Sequence, residues 1–157
     1  MAAEALFRLI NLNAAYAACI DADRLEAWPD FFEEACLYKV TSADNYKRGY
    51  AAGIMYADSK AMLKDRVSAL REANIYERQR YRHIVGMPVV LSAADGVTVA
   101  ETPFLVIRTM REGQMDVFVT GVYLDRVRNA ADGAARFLER VVVCDSSRFD
   151  TLVAIPL

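Results

Sequence analysis

Residues 57–86 read ADSKAMLKDRVSALREANIYERQRYRHIVG, and within this stretch the chain passes from one periodicity to another. Asp58 or Ser59 is placed to cap a helix in which Met62, Leu63, Val67 and Leu70 recur at helical spacing, with Lys60, Lys64, Arg66 and Arg71 on the outward side. Beyond Asn74 the apolar residues alternate with polar ones and continue to do so to the end of the chain. The segment that makes the change, Tyr76 to His83, is dense in arginine and tyrosine and ends at the sole histidine. A helix, a charged corner and the entry to a sheet follow one another, and this order decides the fold class.

Downstream, residues 81–91, 97–109, 115–127 and 134–144 are four strand candidates. Between them lie Ala94-Asp95-Gly96, Glu112-Gly113 and Ala131-Asp132-Gly133, and Asp-Gly favours a tight hairpin because both positions accept positive φ. Connections this short make neighbouring strands antiparallel, since a parallel return needs a crossover of about a dozen residues. Upstream, residues 4–20 place Phe7, Ile10, Ala14, Ala17 and Ala18 at helical spacing. Asp23 and Glu26 have capping-box spacing for a short second helix ending near Trp28-Pro29. Trp28, Phe31 and Phe32 read as an aromatic cluster packing helix onto sheet. Residues 36–40 alternate as a strand, residues 42–45 supply turn formers, and residues 51–56, with Gly53, form a short run able to pair with that strand. The expected fold is α+β: N-terminal helices packed on a curved antiparallel sheet, with residues 1–157 as a single domain.

The apolar fraction is 55%, above the roughly 45–50% of an average soluble domain, which suggests apolar surface buried against another chain. A net charge of -2 offers no global field for nucleic acid or an anionic membrane. No run reaches the roughly 18 apolar residues of a membrane span, and Arg8, Asn11 and Asn13 interrupt the N-terminal segment, so neither a span nor a signal peptide is expected. Cys19, Cys36 and Cys144 are odd in number and far apart, as fits reduced core thiols in a cytoplasmic protein.

A facial iron centre needs two histidines and a carboxylate, and a Rieske cluster needs two histidines and two cysteines, so one histidine excludes both from this chain alone. No C-x-x-C, H-E-x-x-H, glycine-rich phosphate loop or G-x-S-x-G is present. What remains is His83. On an inward strand position it is a candidate general acid or base oriented by Asp58 or Asp65; otherwise it is a core or interface histidine. Arg78, Arg80 and Arg82 share one strand face by their spacing, with Glu72 and Glu77 near enough in sequence to pair with them. Interleaved with Tyr76 and Tyr81, they have the composition enriched at protein interfaces.

At these residues a family resemblance becomes legible. Trp28-Pro29-Asp30-Phe31-Phe32, Tyr38-Lys39-Val40-Thr41, the run from Ala52 to Ser59, Asp65-Arg66-Val67, Arg82-His83-Ile84-Val85-Gly86, Cys144-Asp145-Ser146 and Ile155-Pro156-Leu157 closely resemble the small (beta) subunit of aromatic-ring-hydroxylating dioxygenases. Within that family the chain is most similar to the small subunits of terephthalate dioxygenase and salicylate 5-hydroxylase. The resemblance implies a cone-shaped fold of the nuclear transport factor 2 (SnoaL-like) type and association with a large (alpha) subunit, commonly three of each. It also implies that the large subunit carries the Rieske [2Fe-2S] cluster and the mononuclear Fe(II), with electrons arriving from NAD(P)H through a reductase. The small chain would then stabilise the assembly without a cofactor of its own. The competing expectation is a free-standing cone-fold dehydratase or isomerase using His83 as acid and base.

Overall fold

The computed structural model describes residues 2–51, 53–73, 78–149 and 153–157. Helix α1 (Ala2–Asp21) forms as expected but buries Leu9, Leu12, Tyr16 and Ile20 along one face. Of the stripe expected from the spacing only Ala17 is buried, Ile10 is half-buried, and Phe7, Ala14 and Ala18 face solvent. A 3-10 segment, Leu25–Phe31, follows in place of the expected capped helix, and no side chain caps it. Asp23 sits instead at φ 58, in the left-handed region. Its carboxylate and that of Glu26 both bind Arg71, at 2.9 and 2.7 Å, so the two acids tie this corner to the next helix rather than closing their own. Trp28 and Phe32 are fully buried and meet edge-to-face at 5.7 Å, the packing role anticipated for the aromatic cluster.

Strand β1 (Phe32–Ser42) is longer than its alternating core and runs into a short helix, α2 (Ala43–Lys47), where a turn was expected. The hydroxyl of Ser42 accepts from the Asn45 N–H at 3.2 Å, which starts that helix. Strand β2 (Met55–Ala57) returns antiparallel against β1. Helix α3 (Lys60–Ala73) is capped by Ser59, whose Oγ accepts from the Met62 N–H at 3.2 Å. Only Leu63 and Val67 of its stripe are buried; Met62 faces solvent.

The long strand expected over 81–91 is two strands, β3 (Gln79–Val85) and β4 (Val89–Ala94). They divide at Gly86-Met87-Pro88 because Gly86 lies so close to Pro103 that a Cβ would clash, and Pro88 has no N–H to give a ladder. Both pair antiparallel with β5 (Val97–Met110), one against each end of it. Strands β6 (Met115–Asn129) and β7 (Ala135–Cys144) complete the meander. Asp95 at φ 52 and Gly96 at φ 74 form the predicted tight turn between β4 and β5.

The order across the sheet is β2-β1-β7-β6-β5-β3, with β4 also on β5. One pairing departs from the antiparallel expectation: β1 and β7 are parallel, with Tyr38 opposite Arg140 and Val40 opposite Val142. Hairpin length fixes the direction of consecutive strands only, and these two lie at opposite ends of the chain. The sheet is therefore mixed. Register shifts at Val106/Ile107 and Arg126/Val127 add bends to an already twisted surface. Its concave side wraps α1, where Tyr16 meets Phe137 and Tyr123 edge-on at 5.6 and 6.3 Å. The chain's end closes the same core, since the Leu157 carbonyl accepts from the hydroxyls of Tyr16 and Tyr38 at 2.8 and 3.1 Å.

Candidate functional site

Alternation along β3 turns Tyr81 and His83 inward and Arg80 and Arg82 outward. The His83 ring is 0% exposed, and the 7% exposure of the residue as a whole belongs to its backbone. Asp21, the last residue of α1, lies against it: Oδ1 is 2.6 Å from Nδ1, and Oδ2 accepts from the His83 main-chain N–H at 2.9 Å. Asp58 and Asp65, the partners expected from sequence, are both exposed and make no hydrogen bond to His83 among the described residues. Helix α1 crosses β3 at this point, whereas Asp58 and Asp65 belong to the β2–α3 side of the sheet. A cleft of about 470 Å³ runs between α1 (Ile10, Asn13, Ala17) and the β3–β4 turn (Gly86, Met87) and reaches His83, yet the imidazole is sealed from it. A buried ring clamped by a carboxylate is a structural joint, with no open route for a substrate proton.

The core holds a second charged group that sequence reasoning missed. Arg140 on β7 and Asp125 on β6 are both 0% exposed and form a two-pronged ion pair at 2.8 and 2.7 Å. Asn13 of α1 accepts from the same guanidinium, and the rings of Tyr16, Tyr123 and Phe137 enclose it at 4.4, 3.9 and 4.0 Å. Burial pushes the Asp125 carboxyl upward and the Arg140 charge only partly offsets this. Burial likewise works against the Arg140 cation, but Asp125 outweighs it and holds the guanidinium above its ordinary range. The signal was present in the pattern: Arg140 is in phase with Val142 and Cys144, and Asp125 with Tyr123 and Val127, all inward positions.

The arginines anticipated as an interface occupy the outer side of the β3 edge. Arg78, Arg80 and Arg82 are all exposed, and Arg82 approaches Asp21 only to 3.9 Å. Among the described residues neither Arg78 nor Arg80 forms an ion pair, and Glu72 reaches neither of them. Glu77 and Tyr76 lie outside the described residues. Tyr81 faces the other way: it is buried, with its ring 5.1 Å from Phe118, and so serves the core rather than the surface. Among the described residues no three His, Cys, Asp or Glu side chains converge as a metal site. All three cysteines are free and buried, so the donor set present does not fit an iron or iron–sulfur group in this chain.

Helices folded into the concavity of a curved, unclosed mixed sheet, with the interior filled by aromatic rings and a buried ion pair, define the cone fold of the nuclear transport factor 2 type. Residues 15–151 match the ring hydroxylating beta subunit family, and the chain belongs to that family of dioxygenase small subunits. It is 54% identical over 150 residues to the terephthalate 1,2-dioxygenase terminal oxygenase component subunit beta 1 of a Comamonas species, covering 96% of this chain and 97% of that one. It is 36% identical over 151 residues to the anthranilate 1,2-dioxygenase small subunit of Burkholderia cepacia, covering 96% and 93%. A crystal structure described as the beta subunit of an aromatic-ring-hydroxylating dioxygenase from Novosphingobium aromaticivorans superposes with a TM-score of 0.91, at 37% identity and 99% coverage of both chains. No helix among the described residues is long and apolar enough to cross a membrane.

Proposed function

We propose that this chain is the non-catalytic small subunit of a cytoplasmic oxygenase that hydroxylates an aromatic acid of the terephthalate or salicylate type. The observation that carries the reading is the near full-length likeness to the Comamonas terephthalate subunit. In this reading residues 1–157 act as one domain that holds and orients large subunits, three of each. The large subunit supplies the Rieske cluster and the mononuclear iron, and a reductase delivers the electrons. The surface that meets the large subunit includes Arg78, Arg80 and Arg82, with Tyr76 beside them in sequence. The sealed His83 supports a scaffolding role over the free-standing dehydratase or isomerase, because a proton-transfer residue needs its ring in reach of substrate.

The test is to purify the tagged chain gently from its host grown on aromatic acids. Co-elution of a larger chain with the brown absorbance of a Rieske cluster is the expected result. A colourless protein eluting alone overturns the reading.

A further inference from the structure

Among the described residues strand β3 ends the sheet, and no other strand pairs with its outer edge. The direction of its backbone groups can be read from two bonds. Gly86 donates its N–H to the Pro103 carbonyl at 2.8 Å, toward β5, whereas the His83 N–H points away from β5 to Asp21. In an antiparallel ladder N–H and C=O of one residue point the same way and the direction alternates, so Gln79, Tyr81 and His83 turn theirs to the outer edge. Asp21 already takes the His83 N–H, which leaves the Gln79 end for a further strand. Beside that edge lies a cleft of about 870 Å³ bounded by the end of α1, by Arg71 of α3 and by Ile155.

The charge of this cleft is opposite to that of the chain. Four arginines, Arg71, Arg78, Arg80 and Arg82, line it against Asp21 and Asp23, while the whole chain carries a net charge of -2. Both aspartates are engaged, Asp23 with Arg71 and Asp21 with His83. Arg78 and Arg80 have no acidic partner among the described residues, and Arg82 keeps 74% of its side chain in solvent. Ile84, next on the same face, is 53% exposed.

We propose that an extended acidic segment of the large subunit lies along the edge of β3 in this cleft, its main chain adding to the sheet and its carboxylates facing the arginines. The inference rests on the subunit reading above and deepens it by specifying the segment. Arg78 to Arg82 spans about 13 Å at the rise of a strand, enough for acidic residues at three alternate positions. Opposite charges across a ladder stabilise that register, and an apolar residue at the next alternate position meets Ile84. Arginines on a bare edge also discourage indiscriminate strand pairing, so the test must separate a partner from a guard.

The experiment uses the co-expressed complex of this chain with its native large subunit. A photo-reactive benzoylphenylalanine replaces Arg80, and cross-linked peptides are mapped by mass spectrometry. In parallel, an Arg78→Glu/Arg80→Glu double variant and an Arg80→Lys variant are compared for recovery of the large subunit, with the melting temperature of each small chain as a folding control. Cross-links to a large-subunit stretch with alternating Asp or Glu, an about tenfold or greater loss of association in the double variant at low salt, and near wild-type association for Arg80→Lys support the proposal. Cross-links to a non-acidic stretch or to a second copy of this chain overturn it and leave the subunit reading standing, as does a folded double variant that assembles like wild type. Should the double variant not fold, the cross-link map decides. Failure of the wild-type chain to capture any large, brown partner removes both.

Discussion

One carboxylate, that of Asp21, holds His83 at two points: Oδ1 lies 2.6 Å from the ring Nδ1, and Oδ2 accepts from the main-chain N–H at 2.9 Å. The contact joins the last residue of α1 to the edge strand, two elements that share no short connection. His83 therefore fixes the helix against the sheet, and its ring has no opening through which to do chemistry.

His83→Ala is expected to lower stability by about 1–3 kcal/mol, because a buried carboxylate loses its partner. Turnover per fully assembled oxygenase should stay at the wild-type level. Thermal melts of the isolated chain check the first expectation, and single-turnover product yield normalised to assembled complex checks the second. A loss of turnover at matched assembly would restore a chemical role for the histidine.

Removing one member of the Asp125–Arg140 pair should be the more damaging change. Asp125→Ala leaves a guanidinium buried among Tyr16, Tyr123 and Phe137 without its counter-charge, a cost of about 3–5 kcal/mol. The double change Asp125→Leu/Arg140→Met removes both charges and should recover most of that loss. Denaturant midpoints of the two variants and the wild type measure the difference, and equal midpoints for the single and double variants would refute it.

Alkaline pH should destabilise the protein through its buried thiols and phenols. Burial pushes the Cys36 thiol up to about 11 and that of Cys144 up to about 12, and it raises the phenols of Tyr38 and Tyr123 well above their usual range. A thiol raised in this way keeps its proton in the folded chain while the unfolded chain releases it from pH about 9 upward. The unfolded state then binds fewer protons, so stability is flat below about pH 9 and falls above it, by about 1.4 kcal/mol per pH unit for each such group. Melting temperatures between pH 8 and 10.5 trace the slope. Native-state alkylation at pH 8 should spare both cysteines.

Gly121→Ala should destabilise more than an exposed strand glycine would. Gly121 sits between Phe104 of β5 and Cys144 of β7, and an added Cβ would overlap the Val143 carbonyl oxygen, which belongs to the backbone and cannot swing aside. The clash would also disturb Phe104, whose ring stacks on Tyr123 at 4.2 Å. A loss of about 1–3 kcal/mol is expected from this overpacking. Gly113→Ala, at φ 93 with nothing within 4 Å, provides a strain-only comparison.

Local chemistry made the individual elements legible. Ser59 ahead of an apolar stripe, the period-two runs and the Ala94-Asp95-Gly96 turn each act over a few residues, so each could be read where it stood. Family likeness was legible too, because runs such as Trp28-Pro29-Asp30-Phe31-Phe32 and Arg82-His83-Ile84-Val85-Gly86 are long enough to be specific. Capping was the exception among local signals: Asp23 and Glu26 have the right spacing, but Arg71, far along the chain, outbids the free N–H groups for both carboxylates.

By itself, then, the sequence determined where the two long helices and most of the strands of the meander lie and which family the chain joins, since these depend on neighbouring residues. Only the tertiary structure decided that β1 runs parallel to β7, that Asp21 rather than Asp58 or Asp65 meets His83, and that Arg140 and Asp125 share the core. Those outcomes depend on contacts between residues separated by up to most of the chain. They form because burying one aromatic interior brings both ends of the chain together, and no short-range pattern encodes which groups will then meet.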